Sequence, residues 1–553
     1  MDSAIVRDVL LDNKYISEVE IKQNEVFQGK SYNFIIRCKL DVLDKWIPIV
    51  IGIPPNWSLY LFDFYMVGEK PFIPHVEKSG KLCLFNLEGR LLYPDFSGLL
   101  NQCILKAKAV ISDGYLEKNK VDFIKEFDAY FCLFKDEAIA NVVVPLEKKH
   151  MRISFCEKAN QNKITANTRY FASIKQSDFL TWGYHGTQRN GIYFYIDPPQ
   201  YIYPPNFRGS KPEDFLNILL SYVDCKSFEK LIRKCSNQLA LFFTILQDES
   251  TVSSCGFVVE NPKFLMENSV ELVEFSKLIP LSIQRVDREY LSSRTSFLSN
   301  TLASKSILLI GCGSIGGYVF HNLIKSGVKE ITIIDNDVMK SENIFRHFLG
   351  VESVNAYKTD ALANYANKTL PDLNVKVISA PIEKVIIDFV LDLNEYDYIV
   401  SAIGNHTVNC WLNRYILEHN IFKTTFYLWN EPLDIGCHVA RVNIKDEGDY
   451  SNLFGIVNDE VIDLSSYVKA GQIFATSYSG CNGTFIPYGS TLSVENSVIF
   501  MDLLKREADE RIGKNLIVSK KGDDYYLKAA GYFVSDRYIE QVEKYVEVVL
   551  SGL

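Results

Sequence analysis

Three groups of residues in this chain have the types and spacing to do chemistry. The run Gly311-Cys-Gly-Ser-Ile-Gly316 follows the apolar stretch Ser306–Ile310 and opens a helical one. In such a run the first glycine permits a tight turn, the second lets the backbone approach a phosphate, and the third lets the helix pack on the strand. A β-prone run from Glu330 then delivers Asp335 and Asp337, acids about 20 residues beyond the turn and placed to accept ribose hydroxyl hydrogen bonds. Asn343, Arg346 and Lys358 follow. A plain dinucleotide site does not require them, but they suit a triphosphate and the charge that develops as pyrophosphate leaves. The turn and the acid alone fit NAD as well as ATP.

The other two groups centre on thiols. Cys481 lies in Ser479-Gly-Cys-Asn-Gly483, a glycine-flanked loop ahead of a helical stretch at 494–505, where a nucleophile can be exposed and mobile. The competing reading is a buried thiol in a turn. Cys83 lies in Ser79-Gly-Lys-Leu-Cys83-Leu-Phe, after the proline-punctuated Lys70-Pro-Phe-Ile-Pro-His75. Lys78 and Lys81 would lower its pKa if their ammonium groups come close. His75 is a further catalytic candidate, with a satisfied loop histidine as its alternative. Cys410 and Cys437 fall among apolar residues and are weaker rivals, and Cys312 sits in the glycine turn, where a small side chain suffices.

The elements that must position these groups follow from the apolar pattern. β-Prone runs at 34–40, 46–53 and 60–67, broken by Pro54-Pro55-Asn56, predict an antiparallel meander. Helical spacing at Leu99, Leu100, Ile104 and Lys108, and again at Phe123, Ile124, Phe127 and Phe131, makes the first domain α+β. Residues 146–284 are expected to be a folded connecting module, with a helix or buried strand around Leu239–Leu246. Strands and helices alternate from Ser304 to about Ile444, the pattern of a parallel sheet covered on both faces. The divisions expected are 1–145, 146–284 and 285–553.

The totals agree with a globular, multidomain chain. At 553 residues with 47% apolar content it can bury several cores. The formal charge of −9 gives no overall attraction to nucleic acid or anionic lipid. The acidic amino terminus is unlike a signal peptide and no apolar run is long enough to span a membrane, so a cytoplasmic location is expected. The 12 cysteines include no Cys-x-x-Cys pair, so neither a zinc knot nor a disulfide framework is expected.

Taken in order, Gly311-x-Gly-x-x-Gly, Asp335-x-Asp337, Asn343-x-x-Arg346-His347, Lys358 and Asp397-Tyr-Ile-Val-Ser-Ala-Ile-Gly-Asn405 resemble the ThiF/MoeB/ubiquitin-activating adenylation domain over about residues 285–505. Residues 15–140 are similar, more weakly, to ubiquitin-conjugating enzymes. The fold implied is an α+β conjugating-like domain, a mixed middle module and an α/β Rossmann-like adenylation domain. The activity implied is activation of a protein carboxylate by ATP and Mg2+, with Cys481 in the place of the thioester cysteine and Cys83 in that of the conjugating cysteine.

Several departures qualify the resemblance. Gly404-Asn405 stands where the family has Asp-Asn with a magnesium-binding aspartate, so the metal ligand is left unassigned among Asp335, Asp337, water and the triphosphate. The conjugating family's His-Pro-Asn triplet is absent, Val76-Glu77 following His75, so another donor or His75 itself must support the oxyanion. The family's partner-reaching arginine has three candidates, Arg285, Arg288 and Arg294.

Together the two domains resemble the fused enzymes of bacterial antiphage CBASS operons, and Arg346-His347-Phe-Leu-Gly350 fits that branch. The implied partners are the C-terminal tail of a cGAS/DncV-like nucleotidyltransferase, an acceptor lysine and a second copy as homodimer. A nucleotide-binding regulatory module with structural cysteines and an NAD-dependent oxidoreductase are the alternatives.

Overall fold

Long β-branched runs joined by tight turns make the first strands. In the computed structural model, Ile16–Phe27, Lys30–Val42, Lys45–Ile53 and Asp63–Met66 form a four-stranded antiparallel meander in chain order. The structure describes residues 3–85, 95–132, 138–145, 147–158, 168–206, 208–292, 301–388, 390–457, 459–474, 476–477 and 484–552. Contacts divide the chain into two units, Met1–Val286 and Asp287–Leu553.

In the first unit the helix Phe96–Tyr115 starts where the Asp95 side chain accepts a hydrogen bond from the Gly98 N–H, an N-cap that satisfies one of the orphan donors of the first turn. Leu100, Cys103, Ile104, Ala107 and Ile111 lie on its buried side, packed with Phe34, Ile36, Ile49, Ile51 and Phe64 of the meander. The expected second helix is two short ones, Asp122–Lys125 and Phe127–Phe131, broken at Glu126. The break separates their roles. Phe123 stacks on Phe72, whereas Phe127 and Phe131 enter a different core with Phe215 and Phe257.

That other core belongs to a closed seven-stranded barrel. Its order is Val252–Glu260, Lys277–Arg285, Ala138–Val142, Thr168–Ser173, Met151–Glu157, Arg189–Ile196 and Gln238–Leu246, with the last closing onto the first. Gln238–Leu246 is therefore a strand. Its interior residues are all buried, because one face fills the barrel with Ala240 and Phe242 and the other packs Leu241 and Phe243 under the helix Pro212–Leu220. A strand buried on both faces has no polar alternation to reveal it. The barrel draws one strand from residues 138–142, inside the segment assigned to the first domain.

The second unit is built on an eight-stranded sheet. Its order is Asn374–Ile378, Glu330–Ile334, Ser306–Ile310, Tyr398–Ser401, Thr424–Asn430, Gly436–Val442, Leu516–Lys521 and Tyr545–Val549. The first five are parallel. From Gly436 onward each strand runs antiparallel to its neighbour. The expectation of a parallel sheet through Ile444 is corrected there: only the short turn Pro432–Asp434 joins the last parallel strand to Gly436–Val442, and a parallel return needs a much longer crossover. Ser306–Ile310 has the next strand of the chain on one side and Tyr398–Ser401 on the other. That reversal opens a crevice at the carboxyl ends of the strands.

Candidate functional site

At this crevice the three glycines do different work. Gly311 has φ +90, and a Cβ there would come within 2.9–3.0 Å of the Ala402–Ile403 backbone. A Cβ on Gly316 would lie 1.9 Å from the Gly311 carbonyl oxygen. Gly313 is open, with nothing within 4 Å of its would-be Cβ, which leaves the cradle clear for a phosphate. The helix Ser314–Lys325 points its amino end there and buries Val319, Phe320, Leu323 and Ile324, so backbone N–H groups and helix dipole favour an anion at the turn.

Asp335 fixes the turn from below. Its carboxylate accepts from the Cys312 N–H at 2.6 Å and the Asp337 N–H at 2.7 Å. Each oxygen keeps a second lone pair for a ribose hydroxyl. Lys358, the first residue of the helix Lys358–Thr369, is buried and holds Asp337 Oδ2 at 2.7 Å, while Asp337 remains exposed. Gly311, Gly313, Asp335, Asp337, Asn343, Arg346 and Lys358 all line one cavity of about 450 Å³, which Ile382, Ile403 and Val408 also line with apolar surface.

A second cavity of about 760 Å³ shares Asp337, Asn343, Arg346, Lys358 and Tyr488 with the first. Leu433, Asp434, Pro487 and Tyr526 form its other wall. Tyr488 stands between the lobes. Its hydroxyl is 2.9 Å from Ser314 Oγ, and the Arg346 guanidinium lies 5.7 Å from its ring centroid. Leu433 and Asp434 both have positive φ, 53° and 60°, a conformation costly for residues other than glycine. The Leu433 N–H bonds to the Pro487 carbonyl and Asp434 Oδ1 accepts from the Gly489 N–H, so this turn is pinned to the 487–489 strap.

His347 links the polar run to the turn. It is buried, accepts at Nδ1 from the Leu349 N–H (3.0 Å) and meets the Cys312 carbonyl with Nε2 at 2.7 Å. That pattern requires the proton on Nε2. Burial pushes its pKa down to about 4, so the ring is a neutral clasp.

A triphosphate fits this set, with cations at Lys358 and Arg346 and an open backbone cradle. Among the described residues no group of three or more His, Cys, Asp or Glu side chains could hold a metal. Mg2+ commonly keeps several waters and uses one or two carboxylates beside phosphate oxygens. Asp337 and Glu383 are exposed carboxylates lining this cavity, and Asp335 is already occupied by two backbone donors. Gly404, in the place of the family's aspartate, has φ +68, and Asn405 caps the helix His406–Glu418 by accepting from Thr407 and Val408.

Of the three arginines, Arg288 is committed inside its own unit. It donates to the Gly327 and Val328 carbonyls at the end of the glycine-turn helix and to the Asp372 carbonyl. Arg285 lies at the end of the barrel strand Lys277–Arg285, and Arg294 lies outside the described residues. Cys481 also lies outside them. The strands Thr476–Ser477 and Thr484–Phe485 pair on either side of its segment. The rivals are enclosed: Cys312 and Cys437 are buried, with Cys437 pushed up to about 12 by burial, and Cys410 is partly buried.

In the first unit Cys83 is exposed on a cavity of about 540 Å³ walled by Tyr60, Phe62, Leu84 and Phe85. The Cys83 N–H bonds to the His75 carbonyl. His75 has φ 64, and its N–H donates to Tyr130 Oη at 2.6 Å. Its ring lies between two carboxylates, with Nδ1 3.4 Å from Glu126 and Nε2 3.1 Å from Asp122. The Glu126 contact is the largest influence, and with Asp122 it holds the imidazole above its usual pKa against the effect of burial.

The expected lowering of the Cys83 pKa is corrected. Partial enclosure pushes the thiol up, Glu126 and Glu77 add to it, and Lys81 opposes them without prevailing. Lys81 is itself ion-paired to Asp63 at 2.7 Å. Glu126, Asp122, Tyr130 and Asp63 come from distant parts of the chain, and nothing in their local sequence marked them. Tyr488 was equally unmarked, while His347 stood in the motif without a role.

Comparison with known proteins gives both sites a lineage. Residues 291–476 match the ThiF family, and residues 16–140 match prokaryotic E2 family B. The chain joins a ThiF domain to a prokaryotic E2-type domain. Relatives include the ATP-dependent ubiquitin transferase-like protein Cap2 of Pseudomonas aeruginosa, 29% identical over 174 residues (30% of this chain, 31% of that one). The protein of the same name from Enterobacter hormaechei is 34% identical over 112 residues, covering 20% of this chain and 18% of that one. These alignments span less than a third of the relatives' length. The solved E. coli MccB with selenomethionine MccA overlaps 46% of this chain and 66% of that one, at 14% identity and a TM-score of 0.34, too slight a likeness to carry argument. No helix among the described residues is long and apolar enough to cross a membrane.

Proposed function

We propose that this chain activates the C-terminal carboxylate of a protein with ATP, carries it as a thioester on Cys481, relays it to Cys83 and ligates it to an amine. The observation that carries the reading is the paired cavity. Here a second lobe meets the first where Asn343, Arg346 and Lys358 stand, so a carboxylate entering through the second reaches the phosphates held in the first.

The chemistry follows from the groups present. The carboxylate oxygen attacks the α-phosphorus, the P–O bond to pyrophosphate breaks, and Lys358 and Arg346 face the charge that accumulates. Asp337 fixes the Lys358 ammonium and is a carboxylate placed for magnesium carried on the triphosphate. The Cys481 thiolate then attacks the acyl carbon and AMP leaves. Exchange onto the Cys83 sulfur preserves the thioester, and attack by an amine breaks the C–S bond and forms an amide. ATP alone supplies the driving force.

Three observations support the thiol assignments. Cys312 and Cys437 of the second unit are buried and Cys410 partly so, Cys83 is exposed on a cavity, and the carboxylates of Glu126 and Glu77 near it attract an ammonium acceptor. The names of the Cap2 relatives support an ATP-dependent transferase. By the resemblance to CBASS enzymes, the substrate is the tail of a cGAS/DncV-like nucleotidyltransferase, the acceptor a protein lysine, and the working form a homodimer in the cytoplasm.

Intact-mass analysis after mixing the full chain with ATP and a cGAS/DncV-like nucleotidyltransferase tests the sequence of steps. Both thioesters are expected in the wild type, none in Cys481→Ala, and only the first in Cys83→Ala. A thioester on Cys83 in the Cys481→Ala chain would overturn the relay.

A further inference from the structure

Attack on a thioester places negative charge on the carbonyl oxygen, and a donor aimed at that oxygen lowers the barrier. The surroundings of Cys83 are rich in acid, with Glu126 and Glu77 both raising its pKa, so the donor must be found against that background. The imidazole of His75 has two N–H groups when charged, and both face carboxylates, Asp122 and Glu126. Serving the oxyanion would mean leaving one of them.

Lys81 is better placed. It lies two residues before Cys83 in a segment whose Tyr65–Lys81 and Val76–Leu82 bridges are antiparallel, and in extended backbone residues two apart point to the same side. Both side chains line the same cavity. Asp63 takes one Lys81 hydrogen at 2.7 Å, which leaves two of the ammonium's three. Asp63 is fixed in turn: its Oδ2 accepts from Tyr32 Oη at 2.7 Å and from Lys30 Nζ at 3.2 Å, and Tyr32 Oη lies 2.9 Å from Tyr65 Oη. Tyr32 is buried with its ring over Gly52, where a Cβ would come within 2.5 Å of it. The lysine is thus anchored through a hydrogen-bonded chain to the meander.

We propose that Lys81 is the oxyanion-stabilising residue of the thiol site, its Asp63-anchored ammonium facing the carbonyl oxygen of an acyl group on Cys83 while an amine attacks. The inference rests on Cys83 being the acyl carrier of the proposed function. In the step, the amine nitrogen bonds to the acyl carbon, the C–S bond breaks and the sulfur leaves as thiolate. One N–H proton of the neutral amine ends on the sulfur, and the proton an ammonium acceptor gives up first goes to water. Lys81 donates hydrogen bonds throughout and neither gains nor loses a proton.

The test bypasses ATP. The mercaptoethanesulfonate thioester of acetyl-Gly-Gly loads Cys83 of the full chain by exchange, peptide mapping confirms the site, and discharge to excess L-lysine is followed by mass. Lys81→Ala is expected to slow discharge by about 10²-fold, Lys81→Arg to keep most of the rate, and Asp63→Asn to fall between them. Removing the cation should also shift the pH profile of Cys83 alkylation by iodoacetamide upward, which lost packing alone would not do. Should Lys81→Ala not fold, Lys81→Met keeps the stem and takes its place. Discharge at the wild-type rate without the ammonium, or equal slowing in the Ala and Arg variants, overturns the proposal. Failure of ATP-dependent loading in the wild type, with Lys81-dependent discharge of the chemically loaded chain, would overturn the proposed function and leave this inference standing.

Discussion

The nucleotide cleft and the thiol site of Cys83 are built in opposite ways. The cleft is made of backbone: a glycine turn, a helix amino end and strand ends, with the polar side chains Asp335, Asp337, Asn343, Arg346 and Lys358 coming from one stretch of chain. The thiol site is made of side chains that meet from afar, Asp63, Lys81, His75, Asp122, Glu126 and Tyr130. A backbone site tolerates almost no change at its glycines, whereas a side-chain site should degrade one contact at a time.

The largest break in that contrast is expected at Gly316. Adding a methyl group there brings it to 1.9 Å from the Gly311 carbonyl, and overpacking against backbone costs about 1–3 kcal/mol or more. ATP binding by Gly316→Ala, measured by calorimetry, should be lost. Lys358→Ala should leave the chain folded but lower ATP–pyrophosphate exchange by about 10²-fold or more. It strips the cleft of a buried cation and leaves Asp337 without its partner.

Smaller effects sharpen the contrast. Tyr488→Phe removes one hydroxyl contact to Ser314 and should raise the KM for ATP several-fold, in line with about 1 kcal/mol for a single hydrogen bond.

The two histidines should separate by pH. The folded His347 resists protonation until about pH 4, while the unfolded state takes a proton near 6.5. Its site therefore loses stability as pH falls from about 6.5 toward 4. His75 is raised by Glu126 and Asp122, so its contribution is present in full below about 6.5 and fades as pH rises through its folded pKa. Thermal melts of His347→Gln and His75→Gln against wild type across pH 4–8 check the opposite signs.

The contrast also explains what could be read from the sequence. A glycine turn, a strand-end acid and a cation at a helix start are local, and their spacing survives into three dimensions. Gly311, Gly313, Asp335, Asp337, Asn343, Arg346 and Lys358 line one cleft because neighbours in sequence remain neighbours there. Nothing local joins Lys81 to Asp63 or His75 to Glu126. The expectation that Lys78 and Lys81 lower the Cys83 pKa if they come close counted nearby cations; Lys81 does act that way, but partial burial and the acids that folding brings in outweigh it. The barrel was hidden for a related reason: Gln238–Leu246 is buried on both faces, so its pattern carries no period. The shift to antiparallel strands at Gly436 depended on a short strained turn at Leu433-Asp434 that apolar patterning does not register.

The central claim is that the cleft activates a carboxylate at the α-phosphate of ATP. The most direct test is ATP–pyrophosphate exchange by the full chain with a peptide bearing the carboxyl-terminal residues of a cGAS/DncV-like nucleotidyltransferase, the proposed substrate. Exchange is expected with the free-acid peptide of that proposed substrate and not with the same peptide amidated at its carboxyl end. Equal exchange with both, or none with either while the cleft binds nicotinamide nucleotide, would contradict it.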